Sequence, residues 1–344
     1  MKKSNLRIGK SIITTLVLST SMMSLTGVTF AAQVTNDAPP SVTIQGVTWY
    51  QISTAAQLEY IDQNQGNYLN ANIELMNNLD LTGFAWTPFG TPFSGTFNGQ
   101  GYGVSGVTVD EPSSDYVGFF GTNSGTVENF HVNGSMIGHD EVGSLVGIQN
   151  GGTITDSYAT GSVQGANFVG GLVGILRKQG TISDSYATGT VTSNKYAGGL
   201  VGLDVSSSIA DSYATGSVTG SLYTGGLVGL VSMHQSGGSI TNSYFDTTTT
   251  GQSQGVSNFP QSTITSELDT AMKTEATFSS WDFAKTWGIS SAINHGYPYL
   301  LNDHSFNGGG LVGQMPEVPL AGVLPLLGLA GVGVFWLRRR QSVK

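Results

Sequence analysis

The sequence contains no cysteine in its 344 residues, which excludes a disulfide scaffold, a thiol enzyme and a Cys-ligated zinc site. Charge is also scarce, at 10% of residues, and basic charge is scarcest where a domain would sit. Of 13 Lys and Arg, Lys2, Lys3, Arg7 and Lys10 lie in the first ten residues and Arg338, Arg339, Arg340 and Lys344 in the last seven, leaving five for the body. All 22 acidic residues fall in that body, which therefore carries a formal charge of −17. Such a chain repels phosphate backbones, so nucleic acid is not an expected partner. Arg177-Lys178, the one adjacent basic pair in the body, reads as a surface loop. The five histidines (His131, His139, His234, His295, His304) form no H-E-x-x-H, so no zinc-peptidase centre is expected, nor any other metal or cofactor. Gly101-Tyr102-Gly103-Val104-Ser105-Gly106 fits a dinucleotide fingerprint in letters only. Val107-Thr108-Val109 after it reads as strand, where the fingerprint needs a helix.

What the chain does have is glycine, 49 residues of it, and a repeat. Ser157-Tyr158-Ala159-Thr160-Gly161 recurs at 185–189 and at 212–216, offsets of 28 and 27 residues. Gly-Gly-Leu-Val-Gly stands at 170–174, 198–202 and 225–229, with the variant Gly143-Ser144-Leu145-Val146-Gly147 one period upstream. Units begin near Thr126, Thr153, Thr181, Ser208 and Ser239, and the end units are the least regular, as in a solenoid. Each unit holds short β-type runs such as Thr153-Ile154-Thr155, and none carries ten residues at helical period. About 27 residues fit one coil of short strands, each pairing with its copy in the next coil at about 4.8 Å. The fold class expected is all-β, a right-handed parallel β-helix with short helical caps.

The repeated phrases resemble the GLUG-motif repeat of bacterial surface and secreted proteins, a family that includes some immunoglobulin A-cleaving peptidases and adhesin-like proteins. The resemblance is close over residues 116–250. Its flanks also look like the usual neighbours of such repeats, in Ile52 to Leu58 and Trp86-Thr87-Pro88 before, and Trp281-Asp282-Phe283, Trp287-Gly288-Ile289 and Gly296 to Leu300 after. Thr54-x-x-Gln57 ahead of Leu58 and Ile61 is a capping box, which predicts a short helix over the N-terminal end. Leu268, Met272 and Ala276 predict a second amphipathic helix over 266–277, with Trp281, Phe283 and Trp287 closing the other end of the coils.

Residues 1–31 read as a secretory signal, with a basic start, an apolar stretch and small residues at Ala31 and Ala32. Leu320 to Leu337 is an uncharged apolar run, about 27 Å long as a helix and enough for a bilayer core. Arg338 to Arg340 follow it, placing the body outside. Val318-Pro319-Leu320-Ala321-Gly322 resembles a degenerate LPXTG sorting site, and Pro316 to Pro319 also resembles the PEP-CTERM class. A sortase-like or exosortase-like processing enzyme is the implied partner, with a plain membrane anchor the alternative. The expected organisation is a signal peptide (1–31), an N-terminal cap with the first coils (32–115) and the repeat β-helix (116–250). A C-terminal cap (251–301), a linker (302–317) and a sorting signal with transmembrane helix (318–344) follow.

Within a unit, Ile154, Ser157, Ala159 and Val163 are expected inward, Tyr158 and Thr160 outward. Tyr158, Tyr186, Tyr213 and Tyr244 then form one outer column, with His131 in the first coil, and Phe168, Tyr196 and Tyr223 form a second. Both columns are carbohydrate-binding candidates, since sugar C–H faces pack on exposed rings; the alternative is that the rings only stack and cover strand edges. Asp156, Asp184, Asp211, Asn242 and Asn129 share another repeat position. They read as a ladder of turn residues, with glycosidase-like carboxylates or calcium as the other readings. The expectation is a protein attached to the cell surface that binds glycan or a host or matrix surface without catalysis. A polysaccharide lyase or hydrolase, and a passive stalk, are the alternatives.

Overall fold

The computed structural model describes residues 37–307, apart from 91, 233–237 and 259–263. The expected signal segment, sorting motif and Leu320 to Leu337 span lie outside the described residues. Among the described residues no helix is long and apolar enough to cross a membrane.

The polypeptide from Ser41 onward winds as an all-β, right-handed parallel solenoid of about seven coils. The sequence period sets the register: Thr153, Ile154 and Thr155 pair with Thr181, Ile182 and Ser183, and these with Ser208, Ile209 and Ala210. One face is a sheet of nine strands that runs from Ser41–Ile44 to Ser239–Thr241. The second carries Tyr158–Ala159, Tyr186–Ala187 and Tyr213–Ala214 on successive coils, and the third carries the Leu-Val-Gly strands.

Identical residues at one coil position make identical layers in the core. Val127, Ile154, Ile182, Ile209 and Ile240 form one column, none more than 6% exposed, and Leu145, Leu172, Leu200 and Leu227 another. Each such side chain stabilises the coil by about 1.5–3 kcal/mol through burial. Ile154, Ser157, Ala159 and Val163 all point inward as expected. The glycine that ends Ser-Tyr-Ala-Thr-Gly is required by close approach. A Cβ on Gly189 would collide with the carbonyl oxygen of Gly161 in the preceding coil.

The N-terminal edge is covered by a hairpin. Ser41–Ile44 runs antiparallel to Val47–Ile52 through Gln45 and Gly46, both left-handed (φ 52° and 83°), a tight turn that suits the twist of paired strands. The helix Ala55–Gln63 follows with its capping box formed, Thr54 accepting from the Gln57 amide, and buries Leu58 and Ile61. This is the helix its sequence predicts.

The C-terminal helix is not formed. Ile264–Glu267 is a strand, paired in parallel with Ser243–Asp246, and the rest of the expected helix is turn followed by the start of a 3-10 turn at Glu275–Phe278. The exposed edge of Ser243–Asp246 offers unpaired backbone groups, and β-branched Ile264 and Thr265 satisfy them better as strand than as helix. Leu268 is 63% exposed, whereas Met272 is buried. Trp281 and Trp287 do not close the end of the coils. They lie against the flank, in a strap running from residue 268 to 305 back along the second face. Residues 302–305, expected as the start of a linker, belong to this strap, since Asp303 and Ser305 bond to Tyr158.

Candidate functional site

The position of every tyrosine on the second face is fixed by the two residues before it. Asp156, Asp184, Asp211 and Asn242 all have φ 47°, and Asn129 has φ 50°. Asp and Asn tolerate this left-handed conformation better than most side chains, which supports the turn reading through backbone geometry. The next residue is a buried serine. Ser157, Ser185, Ser212 and Ser243 each donate from Oγ to the carbonyl two residues earlier, at 2.6–2.8 Å. Each also accepts an amide from the preceding coil, as Ser185 Oγ does from the Ser157 N–H at 3.3 Å. A hydroxyl that donates and accepts closes the gap the turn opens in the ladder.

His131, Tyr158, Tyr186 and Tyr213 stack as a continuous column, with ring centroids 4.8 Å apart for His131 and Tyr158, 4.5 Å for Tyr158 and Tyr186, and 4.8 Å for Tyr186 and Tyr213. They do point out of the coil, but they are not exposed: Tyr158, Tyr186, Tyr213 and Tyr244 are at most 7% accessible. The strap covers them. Trp287 packs on Tyr186 and Tyr213, Trp281 on Tyr213 and Tyr244, and Phe278 on Tyr244. Tyr158 Oη donates to Asp303 at 2.6 Å, Tyr213 Oη to the Pro298 carbonyl at 2.6 Å, and Tyr244 Oη to that of Thr277 at 3.1 Å. Burial, with Asp303 alongside, drives the Tyr158 hydroxyl far above its ordinary pKa, so it is a fixed donor. The expectation of an open carbohydrate platform on this column is therefore corrected. Its flat faces are filled by the chain's own C-terminal aromatics.

The Asp ladder joins the same packing. Asp184 Oδ1 accepts from Trp287 Nε1 at 3.2 Å, and burial raises its pKa to about 6. Among the described residues the group that gathers three metal-type ligands is elsewhere, at Asp115, His139 and Asp140.

Where the strap arches away from the coils it leaves a cavity of about 980 Å³. Its floor is the outer side of the second face, Asn133, Thr160, Thr188 and Thr215, with Tyr158 and Tyr186 beside them; Ser291, Asn294 and His295 of the strap stand opposite. His131 also lines it, and desolvation holds that ring below its usual pKa and therefore neutral.

The second aromatic column is open. Phe168 and Tyr196 stack at 4.7 Å, Tyr196 and Tyr223 at 5.1 Å, with the planes of each pair within 7° of parallel. Tyr223 is 40% exposed, and the other two are half-buried. The pairing of Val142 with Val117 and Val169 carries the column on through Glu141 to Tyr116, two residues the sequence reading passed over. Glu141 stands two residues before Gly143 as Phe168 does before Gly170, so the variant repeat phrase held the signal. Burial, then the carboxylates of Asp115 and Asp140, raise the Glu141 pKa to about 7. His139 Nδ1 lies 3.1 Å from Asp115 and 3.4 Å from Asp140, and Asn167 donates to Asp140 at 2.7 Å. The column thus runs from an acidic patch to a stack of three rings.

Comparison with known proteins agrees with this architecture. The family described as "The GLUG motif" matches residues 138–164 and 165–192, two consecutive coils. A "Putative Gly-rich membrane protein" of Evansella cellulosilytica is 32% identical over 111 residues, a match that covers 28% of this chain and 12% of that protein. Among solved structures, a "putative immunoglobulin A1 protease" from Bacteroides ovatus superposes with a TM-score of 0.59 at 18% identity, over 74% of this chain and 92% of that one. A structure described as "IgA1 Protease" has a TM-score of 0.40 at 20% identity, covering 57% of this chain and 19% of that one. The likeness to the Bacteroides ovatus structure is one of fold.

Proposed function

We propose that this protein is an exported, surface-attached β-solenoid that binds glycan, or a glycan-bearing host or matrix surface, without catalysis. The observation that carries the reading is the open stack of Phe168, Tyr196 and Tyr223, three rings on successive coils. Carbohydrate C–H faces pack on such rings, and repetition at the coil spacing favours a polymer over a monomer. The body's charge of −17 directs the choice to neutral or cationic chains.

Attachment rests on Leu320 to Leu337 with Arg338 to Arg340, and processing on Val318 to Gly322 by a sortase-like or exosortase-like enzyme. The name of the Evansella relative, a membrane protein, supports an envelope location. A glycan array probed with the exported chain tests the reading. Retention of neutral polysaccharides is the expected result, and an array without signal favours the passive stalk. Reducing-sugar release from the retained polymers would instead favour the hydrolase or lyase.

A further inference from the structure

The nine-stranded sheet begins in a hairpin whose outer face is unlike the rest of the sheet. Tyr50 and Ile52 stand in register with the buried Ile73 and Leu75, so they face the core and Trp49 between them faces out. Val47 lies on the same side as Trp49, and Ile44 and Val42 are their partners across the hairpin. The outer face therefore carries Val42, Ile44, Val47 and Trp49, with Ile44 54% and Val47 44% exposed. On the next three strands the same outer positions hold Asn72 and Glu74, Thr96 and Asn98, and Thr126 and Glu128. Polar residues are what a solvated sheet face carries, and an apolar patch beside them marks an interaction surface. Gln51 and Glu74 form its polar rim, with Gln51 Nε2 donating to Glu74 Oε1 at 2.9 Å.

Charge decides what fits this face. No charged residue falls between Asp37 and Glu59, whereas the body as a whole carries −17. A partner recognised through opposite charge finds nothing on the hairpin to pair with. A second copy of the chain is repelled by the acidic body, yet it brings the same uncharged apolar face to this one place. The hairpin also forms the first edge of its sheet, so two copies that meet through it overlap only at their ends. Their remaining charges are then held apart, and beyond about 10 Å salt screens them. The backbone favours contact through the face rather than the edge. Ser41–Ile44 is only four residues long and is preceded by Pro40, which has no N–H to offer a further strand.

We propose that the outer face of the hairpin Ser41–Ile52 is a contact between two copies of this chain. Val42, Ile44, Val47 and Trp49 of each copy pack on the same four residues of the other around a two-fold axis. Four side chains from each copy make a small interface, so the dimer is weak and depends on concentration. Phe168, Tyr196 and Tyr223 belong to a different sheet, and the contact stands whether or not they bind glycan.

The test is sedimentation velocity of the exported full chain from low to high micromolar concentration, where a reversible monomer–dimer equilibrium is expected. Ile44→Lys places an unpaired charge inside the contact and should weaken association about tenfold or more. Its Tm should match the parent, because the replaced side chain is exposed. Val47→Thr, a milder change, should weaken association less. Thr241→Lys, at an exposed position on the last strand of the same sheet, should dimerise as the parent does. Because the chain has no cysteine, Val47→Cys introduces its only thiol, and mild oxidation should link two copies, whereas Thr241→Cys should stay unlinked. A parent that remains monomeric would overturn the proposal and leave the face to another segment of its own chain or to a foreign protein. Dimers undiminished in both hairpin variants, or equal linking through positions 47 and 241, would overturn it as well and place the association elsewhere.

Discussion

Tyr158 and Asp303 are 145 residues apart in the chain, and Tyr158 Oη donates to Asp303 Oδ2 across 2.6 Å. Between them the polypeptide completes its remaining coils, adds the strand Ile264–Glu267, turns after it and comes back along its own flank. His304 stacks on Tyr102 at 4.6 Å, so the returning strap reaches coils that precede Tyr158. A solenoid whose coils would otherwise touch only their neighbours is thereby tied across several of them.

The strap's grip should be measurable at its centre. Trp287 is fully buried between Tyr186, Tyr213 and Trp281. Trp287→Ala should cost about 3–5 kcal/mol in urea-induced unfolding. Tyr158→Phe should cost about 1–3 kcal/mol, because Oδ2 of the nearly buried Asp303 loses its donor while Oδ1 keeps the Ser305 amide. Stability unchanged in both would mean that the strap is only loosely attached.

The serine ladder makes its own prediction. Ser185→Ala removes the acceptor of the Ser157 amide and the donor to the Ser183 carbonyl inside a closed wall. A loss of about 1–3 kcal/mol is expected. The exposed Ser162, mutated to Ala, should stay within about 0.5 kcal/mol of the parent. Equal effects of the two in chemical denaturation would remove the ladder from the account.

At the left-handed turns, side-chain shape should matter more than charge. Asp211 has φ 47°, and its buried Oδ1 has no hydrogen-bond partner. Asp211→Gly should be close to neutral, whereas Asp211→Val should cost about 1–2 kcal/mol. Thermal denaturation of the two variants checks this, and a tolerated valine would contradict the turn reading.

The coils were legible in the sequence because one period governs both repeated phrases, and the pairing of Ile154 with Ile182 and Ile209 follows from it. The N-terminal helix was legible from Thr54 and Gln57, a purely local signal. The strap was not. The partners of Trp287, Tyr297 and Asp303 lie about 50 to 150 residues away, so local periodicity holds no trace of them. That is why the Tyr158 column reads as open in the sequence and is closed in the fold. The Leu268, Met272 and Ala276 spacing mimicked a helix because it took no account of the strand edge waiting at Ser243–Asp246.

Acidity should stabilise the fold. Burial raises the pKa of Asp204 to about 7, although its Oδ1 accepts the Ser207 amide at 3.1 Å, and burial also raises Asp184 to about 6. Both folded values lie above the ordinary carboxylate range, so the folded state binds protons more tightly than the unfolded chain. Stability is complete below the unfolded pKa and is lost as pH rises through about 6 to 7. Tm should therefore fall between about pH 5 and pH 8, and Asp204→Asn should flatten part of that fall. A Tm that climbs over this interval would contradict the assignment.

The central claim, that the stack of Phe168, Tyr196 and Tyr223 is a glycan-binding surface, is tested most directly by affinity against chain length. A neutral polysaccharide retained on the array is cut into a graded series of oligosaccharides, and Kd is measured for the parent and for the double variant Tyr196→Ala/Tyr223→Ala. The parent should bind longer chains progressively more tightly, with little response to added salt, because parallel weak sites act together and no ion pair is involved. The double variant should stay folded and lose about tenfold or more on the longest chains, two stacking contacts at about 0.5–1.5 kcal/mol each. A folded double variant that binds every length as the parent does would contradict the account and place the binding surface elsewhere.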